Sequence, residues 1–500
     1  MTRVAVIGLD GLDPQLARYM PSVASITNTK LDSIIPSTMS SWPTIMTGVN
    51  PGKHGLYGFF KIYKKGVEWG WSLSNALDLE YPRIHEMLAL SPLKLGKRFA
   101  VINPIPDYPF IPVKPERGFL ATIDFLSLKE KANDWKFFRK IYDIEEFKKL
   151  VQEREAATSP RQLLKSEFKV IEQHRAALEE LLSSDFDLVW LNMHLPDRFL
   201  HYYKKALWKD TQALELLLSR LDDVVKLGLK HASNVVVVSD HGFKHLKGVV
   251  GINALLYREG FAVKAPDDSR VFVVGDEPKK ESIVVGRSLA RLVYKMLSGR
   301  GLRLARKMYI VASMVSKMLT GKEIAVRIPT DVDSIASKAF APATTNKTVP
   351  IYTVLLNDPS IGPRVAELLR NVGLESHYAK DVLWGPHVPD YIVLAYSGKY
   401  MSTPGTIYGE VLVRRDEADH QRYGVAAFRL EDASWTPPPS VPGYSVAPVI
   451  LCLLGAPLDK YMDGYGYALD ACENGARETV DYRARWSIYK RLHTGFKASR

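Results

Sequence analysis

NVVVVSDHGF, residues 234–243, places four valines in a row and then a single serine ahead of a carboxylate. A strand that is apolar on both faces belongs in a parallel sheet covered by helices on both sides, whereas a half-exposed antiparallel strand would alternate. Asp240 and His241 follow the serine at once. Burying an unpaired carboxylate after such a strand is costly unless a cation compensates it. The stretch therefore reads as a buried parallel strand that delivers polar ligands at its carboxyl end.

Two other stretches repeat the pattern. RVAVIGLDGLDP, residues 3–14, is a continuous apolar strand ending in Asp10 and Gly11, and DFDLVWLNM, 185–193, is a strand that leads into LPDRFLHYYKK, 195–205. Residues 160–182 and 210–228 carry a helical period, so helices and strands alternate as in an α/β fold. In open parallel sheets chemistry collects outside the carboxyl ends of strands. Asp10, Asp197 and Asp240 are all delivered there. If the 197–201 stretch is helical, the four-residue spacing puts His201 on the same face as Asp197. His420 stands in DEADHQRYG, 416–424, just ahead of another strand. Three Asp and three His make the inventory of two divalent sites, each with a position open to substrate. Two such ions a few Å apart hold a phosphoryl group from both sides.

A nucleophile is offered by IIPSTMSSWPTIMTGVNPGKHG, 34–55. Thr38, Ser40 and Ser41 precede a helical segment, and a hydroxyl at a helix N-terminus meets free N–H groups that receive anions. Coordination to a metal would activate it. The residues alone leave all three hydroxyls open.

Composition bounds the rest. The 500 residues are enough for a large core with insertions. The formal charge is +12, and eleven Lys or Arg against two Glu between Lys279 and Glu323 supply most of it, so basicity is local. Cys452 and Cys472 form no disulfide framework, which suggests a reducing, cytoplasmic setting. The N-terminal apolar run is too short for a signal peptide, and no run approaches the roughly eighteen residues that span a bilayer.

The expected organisation is a hydrolase core beginning in 1–255, with an insertion at about 60–160; a basic helical insertion at 256–329; the remainder of the core in 330–475; and a basic tail in 476–500. The 283–319 stretch reads as amphipathic helices broken at Gly299 and Gly301. For the 280–325 face, contact with a membrane surface or attraction of nucleic acid are the minority readings beside a solvated or packed face, and no firm nucleic-acid partner follows.

The order of GLDG, STMSSWPTIMTGVNPGKHG, PDRFLH, SDHGF and a late DH followed by Gly424 resembles the alkaline phosphatase superfamily and, within it, the type I phosphodiesterase/nucleotide pyrophosphatase-like family. VLWGPHVPDYIVLAY and SVAPVILCLLGAPLDKYMDG resemble late segments of its prokaryotic members. The resemblance implies an alkaline-phosphatase-like α/β fold, with a mostly parallel sheet flanked by helices on both faces and helical insertions. It implies two divalent ions, zinc or in some relatives manganese. Asp197, His201 and His420 would hold one ion, and Asp10, Asp240 and His241 the other, which also contacts the nucleophile. Counting back from Thr47–Gly48, the family's threonine falls on Thr38, which would form a covalent intermediate. Where characterised nucleotide pyrophosphatases carry a phosphate-binding Asn, this chain has Ser41, a hydroxyl with one proton to donate. The C/S-x-P-x-R signature of sulfatases is absent. Phosphoglycerate mutases of the superfamily use a serine, which retains Ser40 and Ser41.

The leading expectation is a metal-dependent hydrolase of phosphate esters, a phosphodiesterase acting on a small or nucleotide-like ester. A phosphomonoesterase or a phosphoglycerate-mutase-like phosphotransferase is the alternative, and a non-enzymatic basic surface-binding protein on a hydrolase scaffold is the third reading. No Arg falls beside the Thr38 motif to meet the extra charge of a monoester. His54 and His245 are expected to pack or to hydrogen-bond a ligand, and His194 to be structural. Tyr108, Tyr202, Lys204 and Lys244 carry no signal above solvated side chains.

Overall fold

The computed structural model describes residues 2–91, 96–114, 116–123, 130–266, 331–342, 353–431, 435–471 and 478–493, with three strand segments inside 271–329. Its centre is a nine-stranded sheet. In chain order the strands are β1 (Thr2–Leu9), β2 (Thr27–Asp32), β3 (Phe99–Ile102), β4 (Gly118–Thr122), β5 (Lys131–Ala132), β6 (Leu188–Met193), β7 (Ala232–Val238), β10 (Tyr423–Arg429) and β11 (Ser440–Pro442), where β8 (Gly242–Leu246) and β9 (Glu417–Gln421) form a separate ribbon. Across the sheet the order is β11-β2-β10-β7-β1-β6-β3-β4-β5. The block β7-β1-β6-β3-β4 is parallel throughout, and β10 runs against β7. The fold is thus α/β, with a mostly parallel central sheet.

The continuous apolar strands are explained by covers on both faces. Ala5, Ile7 and Leu9 of β1, with Val235 and Val237 of β7, face one core, built with Leu178 and Leu181 of helix Pro160–Ser183 and Leu217 and Leu221 of helix Thr211–His231. Val4, Val6, Val236 and Val238 face the other, built with Trp42, Ile45 and Met46 of helix Thr38–Thr47 and Val449 and Ile450 of helix Val446–Leu453. Alternate side chains of one strand enter opposite cores because successive Cβ atoms point to opposite faces. A third core lies on an antiparallel four-stranded sheet that contains Thr353–Leu356 and Ile392–Tyr396.

Two of the expected segments can be set beside the described elements. The 60–160 stretch is not all insertion, since β3 and β4 pair in parallel with the central sheet beside β6. These strands are four and five residues long and flank a Pro-punctuated segment, so their periodicity is too short to read. Within 256–329, the described parts are residues 256–266, which include the end of helix Ile252–Arg258, and the strands Val271–Val274, Ile283–Val284 and Ile324–Pro329. The remainder, including most of the basic 280–325 stretch and its proposed membrane contact, lies outside the described residues, as does Cys472. Cys452 is buried. Among the described residues no helix is long and apolar enough to cross a membrane.

Candidate metal centre

Register brings the three aspartates together. Gly8 of β1 pairs with Val238 of β7, and Leu9 pairs with Met193 of β6, so Asp10 and Asp240 leave adjacent strand ends at the same level. Asp197 opens the short helix Asp197–Tyr202, and its N–H donates to the Asp10 carbonyl at 2.9 Å. One helical turn later His201 points back, with Nε2 3.4 Å from Asp197 Oδ1. His420 arrives from the ribbon, where β9 places it opposite Phe243 of β8. Its Nε2 lies 3.1 Å from Asp197 Oδ1 and 2.9 Å from His201 Nε2.

His241 lies between the two groups. Its Nε2 is 3.3 Å from Asp240 Oδ2 and 3.5 Å from Asp10 Oδ1, and its ring stacks on His420 with centroids 3.8 Å apart. Asp10, Asp240 and His241 form one cluster of facing ligand atoms, and Asp197, His241 and His420 form another, each within 4.8 Å. The set expected on one ion, Asp197, His201 and His420, is therefore gathered with His241 added to it. Backbone carbonyls orient two rings: His420 Nδ1 donates to Pro36 at 2.9 Å and His241 Nδ1 to Gly242 at 3.1 Å, which turns both Nε2 atoms towards the carboxylates.

The carboxylates are only half satisfied. Asp240 Oδ1 accepts from the Gly11 N–H at 3.3 Å and Asp10 Oδ2 faces His194 Nδ1 at 3.3 Å, while Asp240 Oδ2, Asp10 Oδ1 and Asp197 Oδ1 are buried without a hydrogen-bond partner. Such orphaned acceptors are rare in a native interior and call for an explanation. Burial, and then the charges of Asp10 and Asp197, push the Asp240 carboxyl well above its usual range. Burial also opposes ionisation of Asp197, but the imidazoles of His201 and His420 outweigh it and hold Asp197 well below. His420 is drawn down by burial and more strongly up by Asp197, to about 9, while burial and the neighbouring His420 lower His241 to about 4. The cluster has too much negative charge in too little water, and positive charge at its centre would resolve that.

The hydroxyls separate clearly. Ser40 Oγ donates to the Leu56 carbonyl at 2.8 Å and Ser41 Oγ to the Ile35 carbonyl at 2.6 Å. Ser41 Oγ thus directs its one proton at a main-chain carbonyl and not at the cluster. Thr38, at the first turn of helix Thr38–Thr47, instead places Oγ1 3.4 Å from His241 Nε2.

His54 is a structural residue: its Nδ1 accepts from the Leu56 N–H and its Nε2 contacts Thr44 Oγ1 at 2.9 Å. His245 stacks on Trp208 and pairs with Asp416, so it packs without touching a ligand. Lys204 pairs with Glu417 at 3.0 Å and Lys244 faces Asp13 at 3.8 Å, while Tyr108 and Tyr202 are exposed. Sequence reading missed Ser33, whose hydroxyl donates to the Asp240 carbonyl, and Ser239, which accepts from the Leu12 N–H and donates to the His241 carbonyl. It also set aside His194. Only adjacency to SDH and LPD marks Ser239 and His194 in the chain.

Gly11 sets the spacing between two ligands. Its φ is +75°, and a Cβ there would lie 2.7 Å from Asp197 Cβ and 2.9 Å from Asp197 Cα. Gly11→Ala combines the roughly 1–2 kcal/mol cost of a left-handed non-glycine with a push on Asp197. Displacing a site group by about 1 Å can cost about 100-fold in rate. Thermal denaturation should show a lower midpoint and an aryl diester assay a loss of this order; turnover within twofold of wild type would show that this contact does not set Asp197.

The sequence matches the family described as type I phosphodiesterase / nucleotide pyrophosphatase over residues 4–300. No curated protein matches it. Among solved structures it is similar to murine ectonucleotide pyrophosphatase/phosphodiesterase 5, inactive and in complex with AMP, with 10% identity, a TM-score of 0.46, and coverage of 91% of this chain and 96% of that one. The human ectonucleotide pyrophosphatase/phosphodiesterase 5 gives 10% identity and a TM-score of 0.48 over 94% of this chain and 99% of that one. With the family match extending over more than half of its length, the chain belongs to the type I phosphodiesterase / nucleotide pyrophosphatase family of phosphoric ester hydrolases.

Proposed function

We propose that the protein is a metal-dependent phosphodiesterase that works through a covalent intermediate on Thr38. The observation that carries this reading is the set of orphaned carboxylate oxygens on Asp10, Asp197 and Asp240, which face the Nε2 atoms of His201, His241 and His420 beside a hydroxyl. Oxygen and imidazole donors in that mixture suit zinc, with manganese as the alternative. Asp10, Asp240 and His241 would hold one ion and Asp197, His201 and His420 the other, with His241 close enough to serve both. When bound, the ions supply the positive charge that stabilises phosphoryl oxygens and lowers the pKa of a hydroxyl.

The chain's own residues do the rest. Thr38 Oγ1 attacks phosphorus as the bond to the leaving alcohol breaks, and water then cleaves the Thr38–phosphoryl bond. The Ser40 and Ser41 N–H groups donate to the Ser37 carbonyl, so the Thr38 and Met39 N–H groups at the start of helix Thr38–Thr47 are the ones to direct their dipoles at the bound anion. The diester preference follows from charge. Arg422, two residues past His420, is held by Asp32 and Glu375; Lys204 is held by Glu417, Lys53 by Asp463, and Lys244 faces Asp13. Each of these neighbouring cations is engaged by a carboxylate, which suits the single charge of a diester better than the two of a monoester.

Metal analysis of the purified protein, followed by a screen of mono- and diesters, tests this reading. Close to two zinc or manganese ions per chain and turnover of bis-aryl phosphates above aryl monophosphates are expected. A chelator should abolish turnover and lower the melting temperature, and readdition of metal should restore both. Metal at 100 times its dissociation constant stabilises the native state by about 2.7 kcal/mol. Full activity in chelator would overturn the metal dependence. Preferential release of inorganic phosphate from monoesters, or transfer to an acceptor hydroxyl, would replace the diester assignment.

A further inference from the structure

His194 leaves β6 three residues ahead of Asp197 and is 5% exposed. Its main chain is fixed by the start of the next helix, where the Arg198 N–H donates to its carbonyl at 3.1 Å. From there Nδ1 lies 3.3 Å from Asp10 Oδ2. Asp10 belongs to the first ligand cluster through its other oxygen, Oδ1, which faces His241 Nε2. The arrangement parallels Asp240, where the Gly11 N–H holds Oδ1 and Oδ2 is left for the cluster. One aspartate is thus steadied by a backbone donor and the other by an imidazole.

We propose that His194 is a positioning residue for the metal centre: its Nδ1–H donates to Asp10 Oδ2 and turns Asp10 Oδ1 towards the ion. This rests on the metal-dependent reading above. A carboxylate with no donor on its outer oxygen rotates about its last torsion, which is broad and roughly two-fold, and presents either oxygen or both. A donor on one side selects the single-oxygen geometry. It also draws negative charge away from the contact between Asp10 and Asp240. Partners that orient a metal ligand in this way typically contribute 10–100-fold in metal affinity.

The experiment compares zinc binding to chelator-stripped wild type, His194→Leu and His194→Asn, by competition against a chromogenic chelator, with the melting temperature of each metal-free protein in parallel. Leucine removes the donor while filling the space; asparagine keeps an N–H close to the Nδ1 position. His194→Leu should bind the weaker-held or stronger-held of its zinc ions about 10–100-fold less tightly, and His194→Asn should recover affinity to within a few-fold of wild type. Equal affinity in His194→Leu and wild type would reduce His194 to a space-filling role and overturn the proposal. Equal losses in both variants would do so as well, since the donor would then not be what matters. If His194→Leu does not fold, His194→Asn decides: affinity close to wild type supports the proposal and a loss of tenfold or more overturns it. A wild type that binds no metal would overturn the underlying reading, and the proposal with it, which is a result distinct from either variant outcome.

Discussion

Asp240→Asn is expected to lower phosphodiester turnover by about 10³-fold or more, the scale on which loss of a preorganised charge-stabilising group acts, while making the metal-free protein more heat-stable. The two effects share one cause. Asp240 is fully buried, one of its oxygens has no partner, and its neighbours Asp10 and Asp197 add negative charge. With cations present that charge is needed; without them it strains the fold. Asparagine keeps the shape and an acceptor for the Gly11 N–H but removes the charge. The pH dependence has a definite sign. Because the folded-state value lies above the ordinary 3.8, the native form binds its proton more tightly than the unfolded chain does. This contribution to stability is present in acid and is lost as pH rises through the raised value. In chelator, the melting temperature of the variant should therefore exceed that of wild type by a margin that widens as pH rises above about 4. With zinc supplied, the order should reverse, because only wild type binds the ion fully. Wild-type turnover in the variant, or a metal-free variant that melts below wild type at neutral pH, would contradict the arrangement.

The sheet and the site were legible to different depths. β1, β6 and β7 announce themselves because burial on both faces demands uninterrupted apolar residues, and their carboxyl ends locate Asp10 and Asp240 without further information. β3 and β4 do not, because four or five residues carry no period and prolines surround them. His420 can be placed only by motif order. What brings it to the centre is the pairing of β9 with β8, a contact between residues far apart in the chain. The sharing of His241 between two clusters is invisible in sequence, since it depends on ring stacking. Ser41 shows the converse: its position matches a phosphate-binding residue of relatives, but the turn before the helix brings the Ile35 carbonyl within reach of its hydroxyl. His194 looks like the end of an apolar strand until Asp10 is seen beside it.

The hydroxyl pattern at the start of helix Thr38–Thr47 leads to the second large effect. Ser40, Ser41 and Thr44 each donate to a main-chain carbonyl, and Thr38 is the hydroxyl whose oxygen faces the cluster. Thr38→Ala should therefore lose about 10³-fold or more of diester turnover, as removal of a covalent nucleophile does, while its metal content stays at the wild-type level. Ser40→Ala and Ser41→Ala each remove one ordinary hydrogen bond, which contributes about 0.5–1.5 kcal/mol to stability, and should keep turnover within about tenfold. Thr38→Ser retains the attacking oxygen but loses the methyl that packs in a nearly closed space, so it should fall between wild type and Thr38→Ala. Acid quench during turnover of a bis-aryl phosphate, followed by peptide mass spectrometry, should find the phosphoryl adduct on the peptide containing Thr38 in wild type and none in Thr38→Ala. An adduct at Ser40 or Ser41, or undiminished turnover in Thr38→Ala, would reassign the nucleophile. Loss of metal together with turnover would instead show that Thr38 also helps to hold the ion, since its Oγ1 lies 3.4 Å from His241 Nε2.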